Sequence, residues 1–127
     1  MERTRIASGS PFESVIGFSR AVVAADHVAV SGTAPVMPDG ADPPADAYGQ
    51  MRRCLDIVEA ALGEAGARLE DVVRTRTYLV DAEDWPEVGR AHGEVFGEIR
   101  PASTMVVVTG FLDPRWRVEL EADAIVG

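Results

Sequence analysis

The sequence predicts an α+β domain: six strands in one sheet, with two helices packed on one of its faces. Three observations lead there. In the last stretch, Glu119, Glu121 and Asp123 alternate with Val118, Leu120, Ala122 and Ala124. Side chains alternate across a strand, so the acids share one face, roughly 7 Å apart, and the apolar residues form the core face. Two other windows carry helical spacing instead, Met51-Leu55-Val58-Leu62 and Trp85-Val88-His92-Val95-Ile99. Two helices cannot cover both faces of six strands, so one face is left to water or to a partner subunit.

The element order is β-β-β-α-β-α-β-β. Glu2 to Ala7 forms a short strand, followed by a turn-rich loop through Ser8-Gly9-Ser10-Pro11-Phe12. Phe18 to Ala24 and His27 to Ser31 read as a hairpin turning at Ala25-Asp26. A Pro-, Gly- and Asp-rich loop from Gly32 to Asp42 leads to the first helix, with Asp42 as N-cap, Pro43 just inside, and Gly66 past its end. A strand spans Val72 to Val80, placing Arg74, Arg76 and Tyr78 on one face and Val73, Thr75, Thr77 and Leu79 on the other. The second helix begins near Asp84. Two strands, starting near Pro101 and Arg117, complete the order.

Residues 1–127 are one domain, large enough for its own core and small enough to favour oligomerisation. Hydrophobic residues make up 46% and charged residues 26%, an ordinary balance for a soluble globular protein. No apolar run approaches a membrane span and no signal pattern opens the chain. A single cysteine excludes an internal disulfide and fits the cytoplasm. The net charge of −9 repels polyanions, which argues against a nucleic-acid partner.

Few residues suggest chemistry on their own. His27 and His92 are far apart and Cys54 has no ligand-spaced companion, so no metal site is expected. Cys54 lies beside the helix's apolar stripe, the place of an inert buried thiol. Gly89, Gly93 and Gly97 recur every four residues; close packing of the helix against a neighbour explains them, with room for a ligand at Gly89 as the functional alternative. His92 reads first as a core histidine with one hydrogen bond and second as a pocket residue.

Several segments in order resemble the RidA/YjgF family over nearly the whole chain. Pro101-Ala102-Ser103-Thr104-Met105 is similar to the family's Pro-Ala-Arg-Ser-Cys, and Val118-Glu119-Leu120-Glu121-Ala122 to its Ile-Glu-Ile-Glu-Ala strand. Gly17-Phe18-Ser19-Arg20-Ala21-Val22 resembles Pro-Tyr-x-Gln-Gly-Val, and Val28 to Thr33 resembles a Ser-Gly-Gln strand end. Gln50, Val72-Val73-Arg74-Thr75 and Asp81-x-x-Asp84-Trp85 fall in register. The resemblance implies a chorismate-mutase-like fold with a mixed sheet, and a homotrimer with small-molecule clefts between subunits. It implies hydrolysis of reactive enamines or imines without a cofactor.

Residue by residue, the family's water-orienting glutamate matches Glu119, level with the Ser103–Met105 segment and beside Phe18 and Met105. The pocket tyrosine matches Phe18, the Ser-Gly strand end matches Ser31 and Gly32, and a pocket asparagine matches Gly89. His92 and Thr104 fall beside these positions. The substrate-binding arginine matches Ser103 and the cysteine matches Met105. A serine hydroxyl cannot replace a guanidinium's planar fork of donors, so the carboxylate clamp is absent from its usual place. Arg20, Arg76 and Arg90 are candidates for a relocated cation, Arg20 first because it shares a strand face with Phe18. The implied activity is hydrolase or deaminase chemistry through Glu119. A non-catalytic ligand-binding protein is the alternative. An endoribonuclease or translation inhibitor is disfavoured by the acidic charge, and a mutase by the missing cationic cleft.

Overall fold

The computed structural model of the chain describes residues 2–127. Eight main elements follow in the expected order: β1 (Arg3–Ile6), β2 (Ala21–Ala24), β3 (His27–Thr33), α1 (Ala47–Glu64), β4 (Val72–Leu79), α2 (Trp85–Phe96), β5 (Ala102–Val107) and β6 (Val118–Ile125). They form a six-stranded mixed sheet in the order β1-β2-β3-β6-β4-β5. β6 pairs antiparallel with both β3 and β4, and β4 pairs parallel with β5. Each helix is therefore a crossover between strands that run the same way, α1 from β3 to β4 and α2 from β4 to β5.

The core lies between the helices and the sheet. Met51, Cys54, Leu55, Val58, Ala61 and Leu62 repeat at three- and four-residue intervals along α1, and all are buried. They meet Val28, Val30, Leu79, Val118, Leu120, Ala122 and Ala124 from the strands. Each large side chain sealed there contributes roughly 1.5–3 kcal/mol by leaving water.

Several boundaries differ from the sequence expectation. The N-cap of α1 is Asp46, whose carboxylate accepts from Gly49 N at 2.9 Å; Asp42 pairs with Arg115 instead. Buried Gln50 draws Pro44 O toward its side-chain amide, which keeps Pro43 and Pro44 in the approach to the helix. Phe18 to Arg20 precede β2, because a wide helical turn over Glu13–Gly17 delivers the chain late. β3 runs on to Thr33 through an irregularity after Val30. A second irregularity between Val72 and Arg74 turns Val73 outward, away from buried Thr75, Thr77 and Leu79. Trp85 is 62% exposed, because α2 buries only Val88, Ala91 and Phe96, downstream of its first turn. The glycine repeat does not seat α2 against another element of the chain: a Cβ added at Gly93 would meet nothing within 4 Å, one at Gly89 only Trp85, at 3.8 Å, and one at Gly97 the helix's own Gly93 O, at 2.6 Å.

Candidate active site around Glu119

β6 displays its acids as the alternation requires, with Glu119, Glu121 and Asp123 half-buried on the face away from the helices. Across the ladder these residues pair with Tyr78, Arg76 and Arg74 of β4. Two of the carboxylates are committed to partners. Tyr78 donates its hydroxyl to Glu121, and Arg76 lies 3.3 Å from Asp123 and 3.9 Å from Glu121. His27 Nε2 adds a contact of 3.5 Å to Asp123. Glu119 makes no hydrogen bond or ion pair among the described residues. Burial pushes its carboxyl above the usual range; the Arg20 charge pulls it back and Glu121 pushes it up.

Arg20 braces this corner. Its Nη2 donates to Ser31 O at 2.8 Å, Gly32 O at 3.0 Å and Thr33 Oγ1 at 2.8 Å, across the irregular end of β3. The Ser31 hydroxyl donates to Ser19 O at 2.6 Å, tying the same end of β3 to the strand entry. Gly32 follows from geometry: a Cβ there would stand 3.2 Å from Glu119 Oε1. Any side chain at that position would crowd the carboxylate. Phe18 is half-buried, two residues before Arg20.

A second group forms on β5 and α2. Ser103 stands opposite Thr75, Thr104 opposite Arg76, and Met105 opposite Thr77. Thr75 Oγ1 donates to Ser103 Oγ at 2.8 Å and lies 2.9 Å from His92 Nε2. The His92 ring packs on Phe96 with centroids 4.7 Å apart, and burial holds its imidazolium below the usual range. Thr75 and Thr77 face the helices, so Ser103 and Met105 sit on the helix side of the edge strand.

Register separates the two groups within one chain. Glu119 shares a ladder row with Tyr78 and Val106, on the opposite face from Ser103 and Met105. Within a single subunit Glu119 is thus level with Val106, one residue past Met105, and on the other face of the sheet, so it does not lie beside Met105 of its own copy. Sequence spacing orders residues along a strand, but relative level depends on a pairing that spacing does not contain.

The candidate cations are largely occupied. Arg76 serves the β6 acids, and exposed Arg90 pairs with Glu87 and Glu94 while its guanidinium lies 3.8 Å over the Tyr48 ring. Arg20 keeps a buried Nε without a partner. A concavity of about 340 Å³ lies elsewhere, lined by Asp42, Pro44, Gln50, Arg115 and Arg117 among others. Its arginines are held by Asp42, Asp113 and Asp84, so it reads as a wet seam between loops. Among the described residues no three His, Cys, Asp or Glu side chains gather as a metal site, and no helix is long and apolar enough to cross a membrane.

A mixed six-stranded sheet backed by two helices, with an acidic outer face and a partly desolvated glutamate, defines the α+β class of this chain. The chain belongs to the YjgF/RidA family: the sequence profile described as Endoribonuclease L-PSP matches residues 9–126. It is similar to a Mycobacterium tuberculosis member of the YjgF/YER057c/UK114 family, with TM-score 0.90 and 47% identity over 98% of this chain and 100% of that one. The Escherichia coli YjgF gene product superposes with TM-score 0.84 at 28% identity, covering 96% of this chain and 98% of that one. Among curated relatives, the 2-iminobutanoate/2-iminopropanoate deaminase of Escherichia coli K12 is 30% identical over 129 residues, 98% of each chain.

Proposed function

We propose that this protein is a homotrimer whose intersubunit clefts bind a small molecule, and that it hydrolyses a reactive enamine or imine with Glu119 as the water-orienting acid/base. The observation that carries the reading is Glu119 itself, a half-buried carboxylate with no partner among the described residues, beside the paired acids Glu121 and Asp123 and approached past a glycine. Assembly follows from the separation of the two groups: Glu119 and Ser103 can border one cleft only when different copies contribute them. β5 is exposed along its whole length, which supports a neighbour at that edge.

Hydrolysis joins water to the C=N carbon as the π electrons move to nitrogen. Glu119 takes the water proton, nitrogen is protonated, and collapse of the carbinolamine breaks the C–N bond to give a carbonyl compound and ammonia. The chain has no lysine, so no side-chain amine is available for a Schiff-base route, and direct attack by water is the course open to it. Serine at position 103 supplies no bidentate partner for a substrate carboxylate, a loss of roughly 2–4 kcal/mol or about 30- to 1000-fold in rate. Imines of small amino acids are therefore poor substrates, and carboxylate-free imines are better ones. A ribonuclease reading, carried by the family's description, meets an outer face lined with acids.

Sedimentation equilibrium at micromolar concentration tests the assembly, with about three chains expected and a clean monomer counting against it. A flavin amine oxidase acting on benzylamine and an amino-acid oxidase acting on leucine supply the two imine classes, and semicarbazide traps what escapes hydrolysis. Wild type diverts the benzylamine imine, while Glu119→Gln loses turnover and stays assembled. Full activity in Glu119→Gln, with loss in an assembled Glu121→Gln, would place the base elsewhere.

A further inference from the structure

We propose that His92, Thr75 and Ser103 form a proton relay that ends in the cleft, with Ser103 as the proton donor to the departing nitrogen; this rests on the hydrolytic reading above. The three groups come from three elements. Thr75 is a buried hydroxyl on β4 lying between an α2 histidine and a β5 serine, at 2.9 and 2.8 Å.

The relay takes the polarity in which Thr75 donates to Ser103, and donor counting then fixes the rest. Thr75 has one hydroxyl proton and gives it to Ser103. Its contact with His92 must then be an acceptance, so Nε2 carries the ring proton. Ser103 accepts from Thr75 and keeps its own proton to donate outward, and its side chain is exposed in the isolated chain. At the other end, Nδ1 of His92 has no partner and is not sealed from solvent. The ring is neutral near pH 7, because burial disfavours its charged form and no charged neighbour opposes that. A chain of hydrogen bonds thus runs from solvent to the exposed hydroxyl of β5.

The transfer balances. Ser103 gives its proton to the substrate nitrogen, Thr75 gives its own to Ser103, and His92 Nε2 gives its own to Thr75 while Nδ1 takes one from water. The imidazole ends neutral with its tautomer exchanged. After the product leaves, the reverse hop resets it, as Nδ1 returns its proton to water, Thr75 gives its proton to Nε2, Ser103 gives its own to Thr75, and Ser103 takes one from water in the cleft. Glu119 on one copy removes the water proton and Ser103 on the next supplies the nitrogen proton, so the acid and the base stand on opposite sides of the C=N bond. Ser103 is the catalytic donor, and Thr75 and His92 are positioning residues that act through it.

Long-range ¹⁵N–¹H correlation spectra of His92 test the coupling without any substrate. Wild type should show mainly the Nε2–H tautomer. Ser103→Ala removes the acceptor of the Thr75 hydroxyl, which then turns to His92 and makes Nδ1–H the majority form. An unchanged tautomer in Ser103→Ala would overturn the relay. With the benzylamine-derived imine, Thr75→Val should slow turnover by about 100-fold. Thr75→Ser, which restores the hydroxyl, should recover most of the loss. Undiminished turnover in folded Thr75→Val would equally overturn it. If wild type hydrolyses neither imine, the hydrolytic reading fails, and the tautomer result still decides whether the three groups are coupled.

Discussion

Replacing Arg20 by methionine separates two roles for this arginine, a brace for the β3 end or a cation for ligands. Its Nη2 faces three oxygens at 2.8–3.0 Å but holds only two hydrogens, so two full bonds are made and one is shared. Hydrogen bonds to a charged donor contribute roughly 1.5–3 kcal/mol each, about 3–6 kcal/mol for two. Two effects offset part of this. The buried, unpaired Nε disappears with the substitution, relieving roughly 1–3 kcal/mol, and water replaces some of the lost contacts at a half-buried site. The net loss is about 2–3 kcal/mol. With an unfolding entropy of roughly 2.1 cal/mol/K per residue, a chain of this length should melt about 8–11 °C lower. Circular dichroism melts at one fixed protein concentration measure this, since subunit association would make Tm concentration-dependent. The same variant removes the charge that lowers the Glu119 pKa, so the carboxyl titration, followed by ¹³C NMR, should move further up. A Tm within about 1 °C of wild type with lost affinity for carboxylates would refute this reasoning and make Arg20 the relocated clamp.

Gln50→Met keeps the side-chain length but strips the partners of Pro44 O, Arg115 O and Arg117 N, and urea unfolding should show a loss of about 3 kcal/mol, one per bond. Cys54 is fully buried and desolvation pushes its thiol far up, so a thiol-reactive disulfide should label it only in denaturant. The raised Glu119 pKa means that the folded state binds the proton more tightly, so this group's stabilisation is present below about pH 4.5 and lost as pH rises through the folded value. Glu119→Gln should therefore be more stable than wild type at pH 7, with the difference closing in acid. His92 works in the opposite sense: its folded pKa is lowered, so its contribution is present above about pH 6.5 and lost as pH falls through the folded value, a dependence His92→Gln should remove.

Much of the fold was legible because strand alternation and helical spacing are local and strong here. The β6 acids and the α1 stripe lie where their periods put them. What the sequence concealed was set by partners distant along the chain. Asp42 and Asp46 are equally good caps on paper, and the outcome rests on Arg115, far along the chain from Asp42, and on the Gln50 side chain, whose amide holds Pro44 O. Val73 breaks its strand's alternation because of an irregularity against β6. At the candidate site, Gly32 and Arg20 lie beside Glu119 in the structure, whereas Ser103 falls on the other face of the sheet. Thr75 was visible only as a core-facing strand residue. Two threonines, Thr75 and Thr77, among the core-facing residues of the strand were the available signal, and telling them apart required knowing that β5 lies beside β4.

The exposed edge strand also bears on how the chain behaves before it meets others. Residues 102–107, Ala-Ser-Thr-Met-Val-Val, contain no charge and no proline, and the row of unpaired backbone groups along their outer edge is a template for any extended segment. Arg100 and Pro101 guard one end only. Under the proposed assembly, a freshly made chain at low concentration has a sticky margin until a neighbour covers it, and its yield depends on a race between that docking and disordered pairing. Supplying a single charge within this strand should slow clumping of dilute chains and, by the same act, hinder the docking that would have hidden the edge.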